Sequence, residues 1–384
     1  MKLHRFGRRS RHLSLAVGAS LLLVLTAACG GSSEPSGNTD TDGITAPVLE
    51  GLDQAERDRV AGLIAEAKNQ SLTWIDSVVA PESATAMFNE FKTLYNLPDV
   101  SLTYERLTSG ELSSRLQQEV MARRVNTDFF GVASPRLLAE LDKAGALLDY
   151  ESPQSVHYAD SSKYVTQKPG RWIAPVAYSF AVVVNPAIYP KEITSWADLA
   201  DPELRGNWDV PNVAANEGSL YWYVGLRSVL PLSTFEAWAA NEPMTSTGSS
   251  VQEAQKVAQG QIAISITAGF RVSQTVAQTQ VPLRVFHPKE GAVLSGQSYA
   301  IVNGTRNEAL AKLFMDFLLS KRGQEMYTQL EGIPSFYPGV ELSAEQRQYQ
   351  PVLADLNLIP LDTSALTDED LDKYRSEWTS TFNR

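Results

Sequence analysis

The sequence predicts an α/β protein with two domains. Over roughly the first hundred residues of the folded part, a strand, a turn and a helix alternate three times, which is typical of parallel strands covered by helices. The part expected to fold, about 335 residues, is too long for a single hydrophobic core. A strongly β-prone run, WIAPVAYSFAVVV at 172–184, adds a long central strand.

The alternation follows an amphipathic helix at 52–69. Strands are predicted at 71–79, 100–107 and 127–132, and helices at 81–95, 111–124 and 136–144. Pro81 with Glu82 beside it is a typical helix start. Ligands in parallel sheets bind at the carboxyl ends of the strands. The turns at 77–82, 108–111 and 133–136 are therefore candidates for a binding site.

The second half of the chain continues with strands and helices. The strand at 172–184 ends at Asn185-Pro186. Further strands are predicted at 208–211, 261–267, 283–287 and 296–302. Helices are predicted at 218–230, 235–241, 251–258 and 307–330. The last of these is a long helical region.

The first 29 residues have the features of an export signal. A basic head precedes an uncharged apolar stretch at 13–28, which is shorter than the ~20 residues that a membrane-spanning helix needs. Residues 25–29, Leu-Thr-Ala-Ala-Cys, resemble a bacterial lipobox. In such signals the peptide is cut before the cysteine, whose sulfur then carries diacylglycerol. We expect a signal peptide at 1–28 and a lipid on Cys29.

Cys29 is the only cysteine in the sequence. A lone thiol in an exported protein invites pairing between molecules, and acylation would remove that problem. Two alternatives stay open: an ordinary signal peptide with an incidental cysteine, and twin-arginine export through Arg8-Arg9. Residues 29–49 are rich in Gly, Ser, Pro, Asn and Asp, so we expect a flexible tether.

The chain is acidic, with a formal net charge of −11. The leader holds basic residues and no acidic ones, so the remainder is more acidic still. This balance argues against a nucleic-acid partner, which needs a basic surface. It also argues against adhesion to anionic lipid through a basic patch. Acidity alone names no ligand, because solubility explains it equally well.

Four segments resemble bacterial extracellular solute-binding proteins, the capture subunits of ABC importers. Residues 195–206, SWADLADPELRG, are similar to a Trp-x-Asp-Leu-x-Asp-Pro-x-x-x-Gly segment of that family. Residues 181–186, 307–329 and 334–340 are similar to its preceding strand, its Phe-Leu-Leu-Ser-x-x-Gly-Gln helix and the Tyr-Pro segment of one subgroup. That subgroup binds ferric iron, 2-aminoethylphosphonate, putrescine or thiamine.

The resemblance implies a type 2 periplasmic-binding fold, in which two α/β lobes joined by two hinge crossings enclose a ligand cleft. Lobe 1 would comprise 50–182 and 288–340, and lobe 2 would comprise 183–287. Residues 341–384 would pack back as a helical segment. Proteins of this kind close round a solute by hinge motion.

Several residues are candidates for gripping an anionic solute. Arg271 follows a predicted strand, and its guanidinium suits phosphate or carboxylate; a surface arginine is the alternative. Ser109 with Gly110, and Ser134, offer hydroxyl and N–H groups at helix starts, where anions bind readily. Simple N-capping is the alternative for these positions.

Three further candidates lie in the second half. Gly218 and Ser219 open a predicted helix, another end that favours anions. Tyr178 is expected to face the cleft from the hinge strand, with core packing as the alternative. Tyr221 could likewise form an aromatic wall of the cleft.

Ferric iron is the alternative ligand. The iron-binding relatives use neighbouring tyrosines near this place, and Tyr221, Tyr223 and Glu217 are the corresponding candidates here. Residues two apart on a helix point about 200° apart, so both tyrosines rarely reach one metal. The part after the leader has only two histidines and no tight carboxylate–histidine cluster. We therefore prefer a site without metal and expect no cofactor.

Together these observations predict a lipid-anchored, extracytoplasmic, monomeric solute-binding protein. It would capture a small anionic solute, such as a phosphonate or a phosphorylated organic compound, and deliver it to an ABC permease. No nucleophile–base motif appears, so we expect no enzyme activity. A secreted hydrolase on the same scaffold and a ligand-sensing lipoprotein remain the other hypotheses.

Overall fold

The computed structural model describes residues 43–214, 216–246 and 249–382. The predicted leader and Cys29 lie outside these residues. Within them no helix is long and apolar enough to cross a membrane.

The described strands are β1 Ser71–Asp76, β2 Ser101–Arg106, β3 Phe129–Val132, β4 Ile173–Val184, β5 Trp208–Pro211, β6 Met244–Ser246, β7 Ile264–Ala268, β8 Arg284–Phe286 and β9 Leu294–Ile301. The described α-helices are α1 Gln54–Ala67, α2 Pro81–Leu94, α3 Ser109–Ala122, α4 Pro135–Lys143, α5 Glu217–Val229, α6 Leu232–Ala240, α7 Ser250–Ala258, α8 Val272–Thr279, α9 Glu308–Leu319, α10 Lys321–Glu331 and α11 Asp368–Phe382. The predicted strand–helix alternation is therefore confirmed.

A long helical region was expected at 307–330, and the structure has two consecutive helices there, α9 and α10. The chain breaks at Ser320, whose extended backbone has a ψ of 161° and whose side chain accepts a hydrogen bond from the N–H of Gly323. A Cβ on Gly323 would lie 2.0 Å from the carbonyl oxygen of Phe317. The break thus depends on a serine cap and a glycine without a side chain.

The strands lie in the order β2-β1-β3-β9-β4-β7-β5-β6, with β8 beside β4. The pairs β1–β2, β1–β3, β5–β6 and β5–β7 are parallel, as the alternation predicts. β9 is antiparallel to both β3 and β4. The fold is therefore a mixed α/β architecture of the two-lobe kind that the sequence predicts.

β4 joins the two lobes. Its first part, from Ile173 to Ser179, pairs with β9, whereas its second part, from Phe180 to Val184, pairs with β7. We call lobe 1 the part built on β1, β2, β3, β9 and the first part of β4. Lobe 2 is the part built on β5 to β8 and the second part of β4.

Each lobe has its own aromatic core. In lobe 1 the Phe314 ring lies 5.1 to 5.5 Å from the rings of Trp74, Phe91 and Phe129. In lobe 2 the buried rings include Trp196, Trp208, Trp222 and Trp238. The two cores are distinct clusters, and Ala268 and Phe270 of lobe 2 pack with the lobe 1 core.

The C-terminal chain also passes from one lobe to the other. The side chain of Gln346 donates to the carbonyl oxygens of Thr328 and Gln329 in lobe 1. Farther on, the N–H of Ile359 donates to the carbonyl oxygen of Ala292. α11 then packs on α5 and α6 of lobe 2. This passage adds a connection beside β4 and the link from β8 to β9.

Candidate functional site

The candidate site lies where the carboxyl ends of β3 and β5 face each other across the two lobes. The turn after β3 carries Ser134, and the turn after β5 leads to Glu217 at the start of α5. The hydroxyl of Ser134 donates a hydrogen bond to the Glu217 carboxylate. This contact joins the lobes at the edge of the sheet where binding was predicted.

Ser134 is both a helix cap and a cleft residue. Its extended backbone and the following Pro135 set the start of α4, and its Oγ accepts from the N–H of Leu137 at 3.3 Å. The same Oγ donates to Glu217. The residue is 1% exposed. The N-capping alternative is therefore correct, and it coexists with a contact across the cleft.

The Glu217 carboxylate is contacted by side chains of both lobes. Besides Ser134, the hydroxyl of Tyr221 donates to its Oε1 at 3.1 Å. The Nε of Arg136, in the first turn of α4, lies 3.7 Å from the same oxygen. We did not single out Arg136, although the candidate turn at 133–136 includes it. It follows Pro135 directly and lies in a turn at the carboxyl end of a parallel strand, where ligands bind, so its position could have indicated it.

Gly218 and Ser219 form the first turn of α5. The side chain of Asn216 caps this turn by accepting from the N–H of Ser219 at 3.0 Å. A Cβ on Gly218 would lie 3.8 Å from Oγ of Ser295, the second residue of β9. The start of α5 therefore approaches the strand that joins the lobes.

Tyr178 lies beside this helix start on the shared strand. It is directly opposite Ser295 in the β4–β9 register, and its ring centroid is 5.1 Å from that of Phe270. Burial raises the pKa of the Tyr178 hydroxyl, an effect opposed by its hydrogen bond with Ser295. Tyr178 and Gly218 thus both lie near Ser295, and Gly218 directly follows Glu217 in the chain.

Ser109 and Gly110 lie apart from this group in the described contacts. The residue that caps α3 is Thr108, which shares a reciprocal capping box with Glu111. The carbonyl oxygens of Ser109 and Gly110 accept from Ser113 and Ser114 one turn later. Their predicted role in binding stays a prediction.

Arg271 is buried between the lobes. Its Nη2 lies 2.5 Å from Oε2 of Glu331 on α10 and donates to the carbonyl oxygen of Val78 at 2.6 Å. Its Nη1 donates to Gln274 at 3.1 Å. At 3% exposed it is not a surface arginine, so that alternative is wrong. In this arrangement its charge is paired within the protein, and its role towards a solute stays a prediction.

The side chains of Tyr221 and Tyr223 contact different residues. The hydroxyl of Tyr221 donates to Glu217, whereas that of Tyr223 donates to Glu377 of α11 at 2.6 Å. The Tyr223 ring lies 5.0 Å from that of Trp378, inside the lobe 2 core. The 3.6-residue helical period explains this separation. Between residues 43 and 382, the described part contains no group of three or more His, Cys, Asp and Glu that could hold a metal ion.

Residues 125–355 match the sequence profile of a family described as bacterial extracellular solute-binding protein. The chain belongs to this family. The family places the solute-binding protein outside the cytoplasm, as the component of an ABC transporter that binds a small molecule for the permease. Its members are binding proteins rather than enzymes.

Solved structures are similar to most of this solute-binding protein. A substrate-binding protein of an ABC transporter from Agrobacterium tumefaciens has a TM-score of 0.68 and 17% identity, covering 82% of this chain and 96% of its own. AfuA from Actinobacillus pleuropneumoniae, with fructose-6-phosphate bound, has a TM-score of 0.64 and 20% identity, covering 82% and 97%. Iron-bound HitA from Pseudomonas aeruginosa has a TM-score of 0.64 and 17% identity, covering 81% and 99%. At these identities the likeness establishes the fold.

A relative from Haemophilus influenzae, described as an uncharacterized protein, is 24% identical over 241 residues. The match covers 59% of this chain and 68% of the relative.

The solute-binding protein also has a buried polar group beneath the lobe 1 side of the cleft. Asp76, at the end of β1, accepts from the N–H groups of Val78 and Val79 at 2.7 and 2.9 Å. Gln297 donates to it at 3.1 Å. Burial raises the pKa of Asp76 to about 6, against the effect of those two N–H groups. We did not single out Asp76, although it immediately precedes the first predicted turn.

Proposed function

We propose that this solute-binding protein captures a small anionic solute of the phosphonate or phosphate-ester class between its lobes. The observation that supports this best is the Glu217 carboxylate, which is held by Ser134 and lies beside Arg136. The Ser134 hydroxyl and the Arg136 guanidinium, both of lobe 1, suit a negatively charged oxygen. A solute carrying such an oxygen could use the same groups.

The surrounding residues suit the rest of such a solute. The N–H groups at the starts of α4 and α5 favour negative charge. Gly218 leaves space where a side chain would approach Ser295. Tyr178 and Tyr221 supply aromatic surface, and Ser219, Ser109 and Gly110 are further proposed contacts.

AfuA supports the proposal as an analogy. In the AfuA structure fructose-6-phosphate is bound, so the same fold accommodates a phosphate ester. We propose the same ligand class for the present protein.

We further propose that lipid on Cys29 holds the protein at the membrane beside its permease, with 29–42 as a tether. The predicted tether of 29–49 is too long, because Pro47–Leu49 is a short helix and Ala46 and Leu49 are buried in the lobe 1 core. Metabolic labelling with palmitate tests this. The wild-type chain should incorporate label and stay with membranes, and Cys29→Ala should be unlabelled and released. Membrane retention of the unlabelled variant would contradict the anchor.

Calorimetric titration of the purified chain from Gly30 onward tests the solute class. The probes are inorganic phosphate, fructose 6-phosphate and 2-aminoethylphosphonate, with fructose and putrescine as uncharged and cationic controls. We expect at least one phosphorus-containing probe to bind and both controls to fail. Binding of putrescine alone would contradict the anionic class.

Ferric iron is the second candidate, favoured by the 3.1 Å separation of the Tyr221 hydroxyl and Glu217 Oε1. Both are hard oxygen donors. Ferric citrate should then give a visible tyrosinate absorbance that Tyr221→Phe abolishes. Tyr223→Phe is the matched control, because its hydroxyl contacts Glu377 instead.

A further inference from the structure

The Glu217 carboxylate lies where a solute anion could be received. Both of its oxygens are engaged: Oε2 by the Ser134 hydroxyl, and Oε1 by the Tyr221 hydroxyl at 3.1 Å with Arg136 Nε at 3.7 Å. Ser134 and Arg136 belong to lobe 1, whereas Glu217 and Tyr221 belong to α5 of lobe 2. The protein thus binds one of its own carboxylates across the cleft.

Arg136 has more acidic neighbours than one cation can neutralise. Besides Glu217, its guanidinium lies 3.7 Å from Glu140 and 3.3 Å from Asp368. A solute anion arriving beside Arg136 would meet this negative charge. It would have to replace Glu217, the neighbour that also holds Ser134.

The Arg136–Glu217 part of the contact is accessible enough to be exchanged, whereas Ser134 is buried behind it. The side chains of Arg136 and Glu217 are 45% and 21% exposed, so water can solvate both when they separate. Ion pairs with this exposure contribute little to stability. By contrast, the buried pair of Arg271 and Glu331, 3% and 0% exposed, is expensive to break.

We propose that Glu217 is an internal competitor for the solute, holding Ser134 and Arg136 until the solute's anionic group takes them. The proposal rests on the anionic class of the proposed function. It also narrows that class: the solute's group must displace a carboxylate, which favours a doubly charged phosphate or phosphonate over a monocarboxylate. Glu217 therefore acts as a specificity-determining residue.

Substitutions of the two partners of the Ser134–Glu217 hydrogen bond should then have opposite effects on solute binding. Glu217→Gln removes the competing charge and should tighten binding of the probes inorganic phosphate and fructose 6-phosphate roughly tenfold. Ser134→Ala removes a donor that the solute uses and should weaken the same binding. Arg136→Gln should weaken it as well. A purely structural contact between the lobes would give changes of one sign.

Calorimetric titration of each variant measures these changes, with Glu236→Gln, at an exposed position of α6, as the matched control that should bind like the wild type. Acetate is titrated in parallel, and the ratio of phosphate to acetate affinity should fall in Glu217→Gln. Thermal unfolding confirms that each variant is folded.

The outcomes separate the two proposals. If the wild type binds a phosphate probe and Glu217→Gln binds it equally or more weakly, the competitor proposal is overturned and the anionic function stands. If neither protein binds any phosphate or phosphonate probe, the anionic function fails and the competitor proposal fails with it.

Discussion

Gly131 of β3 lies between two side chains of lobe 1. A Cβ at this position would lie 2.1 Å from Oδ2 of Asp76 and 2.4 Å from Cε1 of Tyr299. Both side chains are buried, so neither can easily move away. The glycine is required by this close approach and lets Asp76 fold back beneath the cleft.

Replacing Gly131 with alanine should therefore lower the free energy of unfolding by about 1–3 kcal/mol, the usual cost of overpacking. The measurement is urea denaturation. Gly62→Ala is the control, because Gly62 lies within α1 and a Cβ there meets nothing within 4 Å. It should stabilise the protein by about 0.5–1 kcal/mol. Equal effects of the two substitutions would disprove the steric explanation.

Asp209 of β5 is buried opposite Ser265 of β7 and beside Glu253 of α7. Burial, together with a hydrogen bond to the Glu253 carboxyl, raises the pKa of Asp209 to about 8. In an unfolded chain the pKa is about 4. Between these values the folded protein keeps a proton that the unfolded chain has lost. The contribution of Asp209 to stability therefore falls as pH rises from about 4 to 8 and is constant above.

Asp209→Asn stays neutral at every pH and should remove this decline. We expect the Tm of the variant minus that of the wild type to increase from pH 5 to pH 8 and then to level off. Differential scanning calorimetry at stepped pH measures it. Asp99→Asn, at an exposed position, should leave the wild-type slope unchanged. Parallel profiles for Asp209→Asn and wild type would contradict the expectation.

At the scale of elements, α11 closes the lobe 2 core from the far end of the chain. The Trp378 ring stacks on Phe382 at 4.0 Å and meets the edge of Tyr223 at 5.0 Å. Glu377, beside it, accepts from Arg227 at 2.8 Å and from the Tyr223 hydroxyl. An aromatic anchor and a polar contact thus join α11 to α5.

Trp378→Ala should consequently destabilise the protein by about 3–5 kcal/mol, as expected for removing a buried aromatic ring. Lys373→Ala on the exposed side of the same helix is the control and should have little effect. Chemical denaturation followed by intrinsic fluorescence distinguishes them. A loss below about 1 kcal/mol for Trp378→Ala would mean that α11 is only loosely docked.

Most elements could be predicted because their signals are local. The Pro81 helix start and the β-branched run of β4 need no distant partner to be recognised. Sheet order and side-chain partners could not be predicted, because they join residues far apart in the chain. Arg271 meets Glu331 of another lobe, and Ser134 meets Glu217. The rule that ligands bind at the carboxyl ends of parallel strands selected the turn that holds Ser134, but no local pattern indicates that Glu217 would face it.

At the scale of the whole molecule, the pair of Arg271 and Glu331 ties lobe 2 to α10 of lobe 1. The N–H of Ala80 donates to the other oxygen of Glu331 at 2.9 Å. The start of α2 is therefore tied into the same buried contact. Removing one charge would leave the other buried without a counter-ion.

Arg271→Met should thus destabilise the protein by roughly 3–5 kcal/mol. Adding Glu331→Gln should recover most of that loss, since the amide oxygen can still accept from Ala80 while the buried charge is gone. A double-mutant cycle by urea denaturation measures the coupling. Simple additivity of the two losses would show that the pair is not coupled.

The position of β9 in the chain has a consequence for the order of folding. β3 ends at Val132, and its sheet neighbour β9 begins only at Leu294. During synthesis from the N-terminus, β1, β2 and β3 are made first. The strands of lobe 2 are made before β9, which the lobe 1 sheet needs to be complete. Contacts of such long sequence separation form slowly. Lobe 1 starts first but is completed only after β9 has been synthesised, and until then its apolar strand edges stay open to chaperones, proteases and other copies of the chain.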